Sequence, residues 1–325
     1  MRNSIRFIFL FLLVAVSACS NRREHKVLKL AHALDVNHSV HKAMIKMAES
    51  VNEKSKGKLQ IQIYPNQQLG SERELLELIQ LGAIDITKTS AAVVEGFDPA
   101  YRLFGFPYLF KSDQHMRNTL DGEIGESILN GSIPFRFRGL VFYDSGKRSF
   151  YTSTKKISNP EDLAGLNIRV QASNLAIQLI QQFDAAATPI PFGDLYTALQ
   201  QGVVDGAENN PPAIYLTRHY EVCSYLILDE HTTVPDVLMI SETSWQSLNK
   251  DEQTWIKEAS ILSREYQIKL WKESENEVLQ AMQMKGLEII KPDKNAFKEK
   301  VRPLTESMLQ DKSLKQLYDK VQAHE

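Results

Sequence analysis

Two arginines beside apolar strand sequence are the residues best placed to do chemistry. Arg169 lies within Ile168-Arg169-Val170, and Arg148 within Asp144-Ser145-Gly146-Lys147-Arg148-Ser149-Phe150-Tyr151, between two predicted strands. An arginine among apolar neighbours is costly unless it is paired, because deprotonation cannot neutralise it. Position alone leaves two readings of Arg169 open. It forms a salt bridge with a carboxylate such as Asp205 or Glu208, or its planar fork holds a ligand carboxylate through two parallel hydrogen bonds. Asn209 and Asn210 precede Pro211-Pro212. The pair reads as turn chemistry or, with Tyr215 about one helical turn on, as amides for ligand hydroxyls. Phe192 follows Pro191 and fits a core aromatic or a wall of a site. Lys88, Ser90 and His32 fall at predicted strand ends, where ligands of α/β proteins bind.

Enzymatic signatures are missing. The chain has no Gly-x-Ser-x-Gly elbow, phosphate-cradling glycine loop or His-Glu-x-x-His. Asp205 and Glu208 could be imagined as an acid–base pair for glycoside hydrolysis. However, Asp205 has a counterpart in Asp85, which points to a structural role. His32, His38 and His231 lack helical metal-ligand spacing, so neither a metal nor a cofactor is expected.

The elements that must carry these residues alternate between strand and helix. A first strand is expected over Val27–Ala33, an amphipathic helix over His38–Lys56, and a strand from Leu59 to Pro65. Ser71-Glu72-Arg73-Glu74 fits a capping box opening a helix that ends at Gly82, followed by a strand from Asp85 to Ser90. Pro160 opens a short helix after Asn159. Glu74–Asp85 aligns with Asp194–Asp205, each read as helix, glycine, short buried strand and aspartate. This repeat suggests two similar lobes facing one another across a cleft. From Ser244 to about Lys285 no proline or glycine occurs, which predicts a single helix of about 60 Å reaching across both lobes. The predicted fold is therefore α/β and two-lobed, with mixed, mostly parallel sheets. Residues 27–145 plus 235–274 would form lobe I, and 146–234 plus 275–325 lobe II.

The N-terminus is of another kind. Arg2 and Arg6 precede the apolar run Phe7–Val16, which ends in Val16-Ser17-Ala18-Cys19. Basic start, short apolar core and small residues make a secretory signal over 1–18, too short to span a bilayer. The cysteine directly after Ser17-Ala18 resembles a bacterial lipobox. Acylated Cys19 would then anchor the mature chain, with 19–26 as tether. With the leader removed Cys223 is the remaining cysteine, so no disulfide forms, and a buried structural thiol is expected. A net charge of −2 without a basic block gives no support for nucleic-acid binding. At 325 residues two domains are the default.

Taken together these residues resemble the solute-binding proteins of tripartite ATP-independent periplasmic (TRAP) transporters, the DctP family, from Leu28 to about Lys320. The most specific motifs are Gly165-Leu166-Asn167-Ile168-Arg169-Val170, Pro191-Phe192-Gly193-Asp194-Leu195-Tyr196, Gly202-Val203-Val204-Asp205-Gly206-Ala207-Glu208-Asn209 and His219-Tyr220-Glu221-Val222. The resemblance implies that Arg169 holds the ligand carboxylate and Asn209 supports it. It further implies that Arg148 lies near the carboxylate and that Phe192 packs over the ligand. It also implies a periplasmic protein of a Gram-negative bacterium that closes on its ligand and delivers it to a membrane permease. Asp229-Glu230-His231 and Val234-Pro235-Asp236-Val237 look like the branch that binds hexuronates. The expected ligand-binding set is Arg169, Arg148, Asn209, Asn210, Phe192, His32, His38, Lys88, Ser90, Tyr215, Glu230 and Asp236. Sialate-binding relatives carry a glutamate near Ser90, so sialate is disfavoured. C4-dicarboxylates, keto acids, a sugar-acid-processing enzyme and a scaffolding lipoprotein are the alternatives.

Overall fold

Short apolar strands alternating with amphipathic helices build two sheets. The computed structural model describes residues 25–324, apart from the Asn276 side chain. The leader 1–18, Cys19 and most of the tether lie outside those residues. Strands β1 (Lys26–Ala31), β2 (Leu59–Tyr64), β3 (Ile86–Ser90), β4 (Phe137–Tyr143) and β10 (Asp236–Ser241) form a five-stranded sheet in the order β2-β1-β3-β10-β4. Strands β5 (Arg148–Thr152), β6 (Asn167–Val170), β7 (Ala186–Pro189), β8 (Gly206–Asn209), β9 (Tyr225–Thr232) and β11 (Glu288–Ile290) form a six-stranded sheet, β11-β9-β5-β8-β6-β7. One strand in each sheet, β10 and β5, runs antiparallel to both neighbours. The other pairs are parallel.

The helices are α1 (Ser39–Lys54), α2 (Glu72–Leu81), α3 (Ala91–Val94), α4 (Asp113–Asp121), α5 (Glu123–Gly131) and α6 (Asn174–Gln181), then α7 (Leu195–Gln200), α8 (Pro211–Leu216), α9 (Glu242–Ser247), α10 (Lys250–Met284), α11 (Lys294–Met308) and α12 (Lys312–Ala323). The stripe Val40, Ala43, Met44, Met47 and Val51 of α1 is fully buried, as its 3.6-residue spacing requires. Ser71 and Glu74 form the predicted capping box of α2, and Gly82 ends it at φ +72°.

The aligned halves of the repeat share more than their helices. Asp85 Oδ2 accepts the Lys29 amide and Asp205 Oδ2 accepts the Asn167 amide, both at 2.7 Å. In return the Asp85 and Asp205 amides donate to the carbonyls of Lys29 and Asn167. Each aspartate thus pins the neighbouring parallel strand, Asp205 at the start of β6 and Asp85 in the middle of β1. The expected order of glycine, strand and aspartate is corrected here. Ala83-Ile84 and Val203-Val204 form bends, and the strands β3 and β8 follow the aspartates.

The predicted single helix from Ser244 is also interrupted. Leu248 and Asn249 separate α9 from α10, and Asn249 starts a new helix with Glu252 through a reciprocal capping box. A capping sequence inside a proline-free stretch breaks a helix as effectively as proline. The 35 residues of α10 pack along α1 and β4 and reach α8 on the second sheet.

One apolar core joins the halves, running from Tyr101, Phe104 and Phe106 to Ile168, Leu175 and Leu179. Polar contacts cross between them as well. Ser173 Oγ and the Leu175 amide donate to Glu95 Oε1 at 2.7 and 3.2 Å, and the Gly193 amide donates to Gln67 Oε1 at 3.2 Å.

Candidate ligand-binding site

Strand ends of both sheets meet at a cleft holding about 470 Å³ of empty space up to its open mouth. Parallel strands β3, β6 and β8 bring their carboxyl ends there, carrying Lys88 and Ser90, Arg169, and Asn209. The antiparallel strands bring their starts, Arg148 on β5 and Asp236 on β10, to the same edge. His38, at the N-terminus of α1, and Phe192 and Asn210 complete the predicted residues that line it.

Arg169 is almost completely buried, and no carboxylate pairs with it among the described residues. Its Nε donates to the Ile190 carbonyl at 2.9 Å, while Nη1 is buried without a partner. Nη2 makes no hydrogen bond or ion pair either. Burial draws its pKa down from the usual guanidinium value. The salt bridge to Asp205 or Glu208 does not form, because Asp205 pins Asn167 and Glu208 belongs to Arg148. Phe192 lies 5.9 Å from the guanidinium, half-buried, and packs its other side on the core.

Arg148 is fully committed to protein. Its Nε and Nη2 donate to the Glu208 carboxylate, Nη2 also to the Glu208 carbonyl at 2.7 Å, and Nη1 to Asn209 Oδ1 at 3.0 Å. His231 Nε2 lies 3.7 Å from Glu208, and its Nδ1 meets Asp229 at 2.6 Å. Burial alone would raise Glu208, but Arg148 and His231 outweigh it and hold the carboxyl at about 2. Burial would lower His231, but Asp229 and Glu208 push it up to about 9. Arg148 therefore orients Asn209, whose Oδ1 also accepts the Asn210 amide, leaving the amide nitrogen for a ligand. Asn210 serves in part as turn chemistry, since its Oδ1 caps α8 through the Ala213 amide at 2.8 Å.

On the opposite wall Lys88 Nζ sits between Glu72 Oε1 at 2.8 Å and Asp236 Oδ1 at 3.0 Å. Burial would lower Lys88, but the two carboxylates outweigh it and its pKa is raised. His38 is held neutral at about 3 by burial and by Lys88. Its Nδ1 accepts the Val40 amide, which places the ring proton on Nε2 as a donor.

Three expected residues stand elsewhere. Both ring nitrogens of His32 are engaged, Nδ1 by the Leu34 amide at 3.1 Å and Nε2 by His41 Nδ1 at 2.9 Å, and the ring does not line the cleft. Tyr215 stacks on Tyr220 at 5.5 Å, away from it. Glu230 lines a neighbouring cavity, paired to Lys147 at 3.6 Å and Lys294 at 2.7 Å. Conversely Glu72, Gln171 and Trp271 line the cleft without having been expected. Glu72 was hidden by its place in the first turn of α2, which fully explains an acidic residue there. Trp271 lies far along α10, and no local pattern marks it. Among the described residues no group of three or more His, Cys, Asp or Glu is arranged to hold a metal ion. None of the described helices is long and apolar enough to cross a membrane.

Residues 30–312 match the family described as bacterial extracellular solute-binding protein, family 7 (DctP). The uncharacterized protein YiiZ of Salmonella typhimurium is 36% identical over 320 residues, covering 98% of this chain and 97% of its own. A TRAP periplasmic solute-binding protein of Xanthobacter autotrophicus, crystallised with bound β-D-galacturonate, superposes with a TM-score of 0.89 at 36% identity, over 92% of this chain and all of its own. Its counterpart from Anaerococcus prevotii, with bound α/β-D-glucuronate, gives 0.89 at 35% identity, over 91% of this chain and 97% of its own. The family consists of transporter solute-binding proteins. This chain belongs to the DctP family and is a TRAP-type solute-binding protein.

Proposed function

We propose that the protein captures a hexuronate, such as galacturonate or glucuronate, and delivers it to a TRAP membrane permease. The observation that carries this reading is the open guanidinium of Arg169. A buried cation without a counter-charge is costly in the empty protein, and a ligand carboxylate supplies the missing partner. Each hydrogen bond to such a charge contributes about 1.5–3 kcal/mol. The opposite wall offers what a ring of hydroxyls needs, acceptors in Glu72 and Asp236 and donors in Lys88 and His38, and the Asn209 amide adds a donor on the Arg169 side. The hexuronates bound by the related structures combine the same two kinds of group. The proposed ligand set is Arg169, Asn209, Asn210, Phe192, His38, Lys88, Ser90 and Asp236, with Arg148 acting through Asn209. Export by the leader 1–18 and anchoring through acylated Cys19 belong to the same proposal.

A ligand that binds the closed state better shifts the population toward it and raises the unfolding temperature. Thermal shift and calorimetric titration against hexuronates, sialate, C4-dicarboxylates and keto acids test the reading. Uronates are expected to raise the Tm most. A response to neutral hexoses without one to uronates would overturn it, and product formation detected by mass spectrometry would replace binding with turnover.

A further inference from the structure

We infer that the Glu72–Lys88–Asp236 cluster makes the site selective for ligands with a single negative charge, excluding acids that carry a carboxylate at both ends. The inference rests on the hexuronate reading and concerns the end of the ligand remote from Arg169. Two carboxylates share the one ammonium of Lys88, at 2.8 and 3.0 Å, so this wall holds one negative charge in excess. Nothing facing it supplies a compensating cation. His38 is neutral and is an Nε2–H donor, Arg148 is neutralised by Glu208, and the fork of Arg169 is the seat of the first carboxylate. Asp236 lines the cleft and uses Oδ1 on Lys88, while no hydrogen bond among the described residues engages its Oδ2. Burial and the neighbouring Glu72 push Asp236 upward, while Lys88 and Arg148 pull against them. A hydroxyl can donate to this wall. A carboxylate cannot, since it has no proton to give, and it meets like charge in a region shielded from water. Specificity of this kind comes from repulsion of the wrong ligand as much as from attraction of the right one.

The experiment titrates D-galacturonate and galactarate, which has carboxylates at both ends, into the wild-type protein, Asp236→Asn and Glu72→Gln. Wild type is expected to bind galactarate at least a hundredfold more weakly than galacturonate. Either variant should narrow that ratio tenfold or more; because the ratio is compared between proteins, the open-chain shape of galactarate cancels. The two variants sit on different elements, so a folding defect in one leaves the other informative. Galactarate bound within tenfold of galacturonate by wild type, or a ratio moved by neither variant, overturns the inference while leaving the hexuronate reading intact. Failure of galacturonate itself to bind overturns both.

Discussion

Arg148 and Arg169 share a side chain and occupy opposite environments, so removing them should have opposite consequences. Arg148→Met leaves Glu208 buried without its partner and is expected to lower stability by about 3–5 kcal/mol. Arg169→Met removes a charge that has no partner in the empty protein. Its unfolding free energy should hold or rise, since relief of the unpaired charge offsets the lost hydrogen bond to Ile190, while uronate affinity falls at least a hundredfold, on the order of 3 kcal/mol. Denaturant unfolding and calorimetry on both variants separate the roles; a large stability loss in Arg169→Met would make it a structural residue. The sequence singled out both arginines because charge on an apolar strand demands an explanation. It could not divide the roles, because that depends on which arginine Glu208 reaches, and Glu208 is on a third strand. His32 misled for the same reason. Its position at a strand end was right, but its ring is spent on Leu34 and His41.

At the scale of elements, the repeat was legible and its meaning lay in the backbone. Gly82 and Gly202 both adopt positive φ after a helix, at +72° and +68°, and the following aspartates hold Lys29 and Asn167 in matching fashion. Asp205→Ala should free the Asn167 amide at the start of β6, next to the strand segment carrying Arg169, at a cost of about 1–2 kcal/mol. Thermal unfolding measures that cost. Ligand affinity should fall together with stability, because β6 positions the guanidinium; a variant with wild-type stability would show the aspartate to be dispensable. The period and capping signals predicted α1 and α2 well, since both are set by neighbours in sequence. The α9–α10 break escapes a reading based on proline and glycine alone, because its signal is the Asn249–Glu252 cap. Strand order and the antiparallel insertion of β10 and β5 are tertiary choices, and no local pattern encodes them.

For the whole molecule, buried histidines set how stability varies with pH. His32, His38 and His219 are held neutral, at about 2, 3 and 3, chiefly by burial. In the unfolded chain they take up protons near 6.5, so their contribution is complete above that value and is lost as pH falls. The acid limb can approach about 4 kcal/mol per pH unit, three protons at about 1.4 each. Glu208, held near 2, adds a loss as pH drops from about 4.5 toward 2. His231 acts in the other direction: held near 9, its contribution is complete below about 6.5 and is lost as pH rises through 9. Stability should therefore peak near neutral pH. A flat denaturation profile between pH 5 and 7 would contradict the burial of these rings. The position of β10 also bears on when the protein can fold. This strand fills the place between β3 and β4, yet it follows β5 to β9 in the chain. Synthesis at about 5–20 residues per second needs on the order of 10–50 s to reach it. Until then the first sheet has a vacant slot between β3 and β4, and the wall of the cleft that carries Asp236 cannot be completed. A nascent chain of this topology stays unfinished until most of it has left the ribosome, a delay that fits the export included in the proposed function.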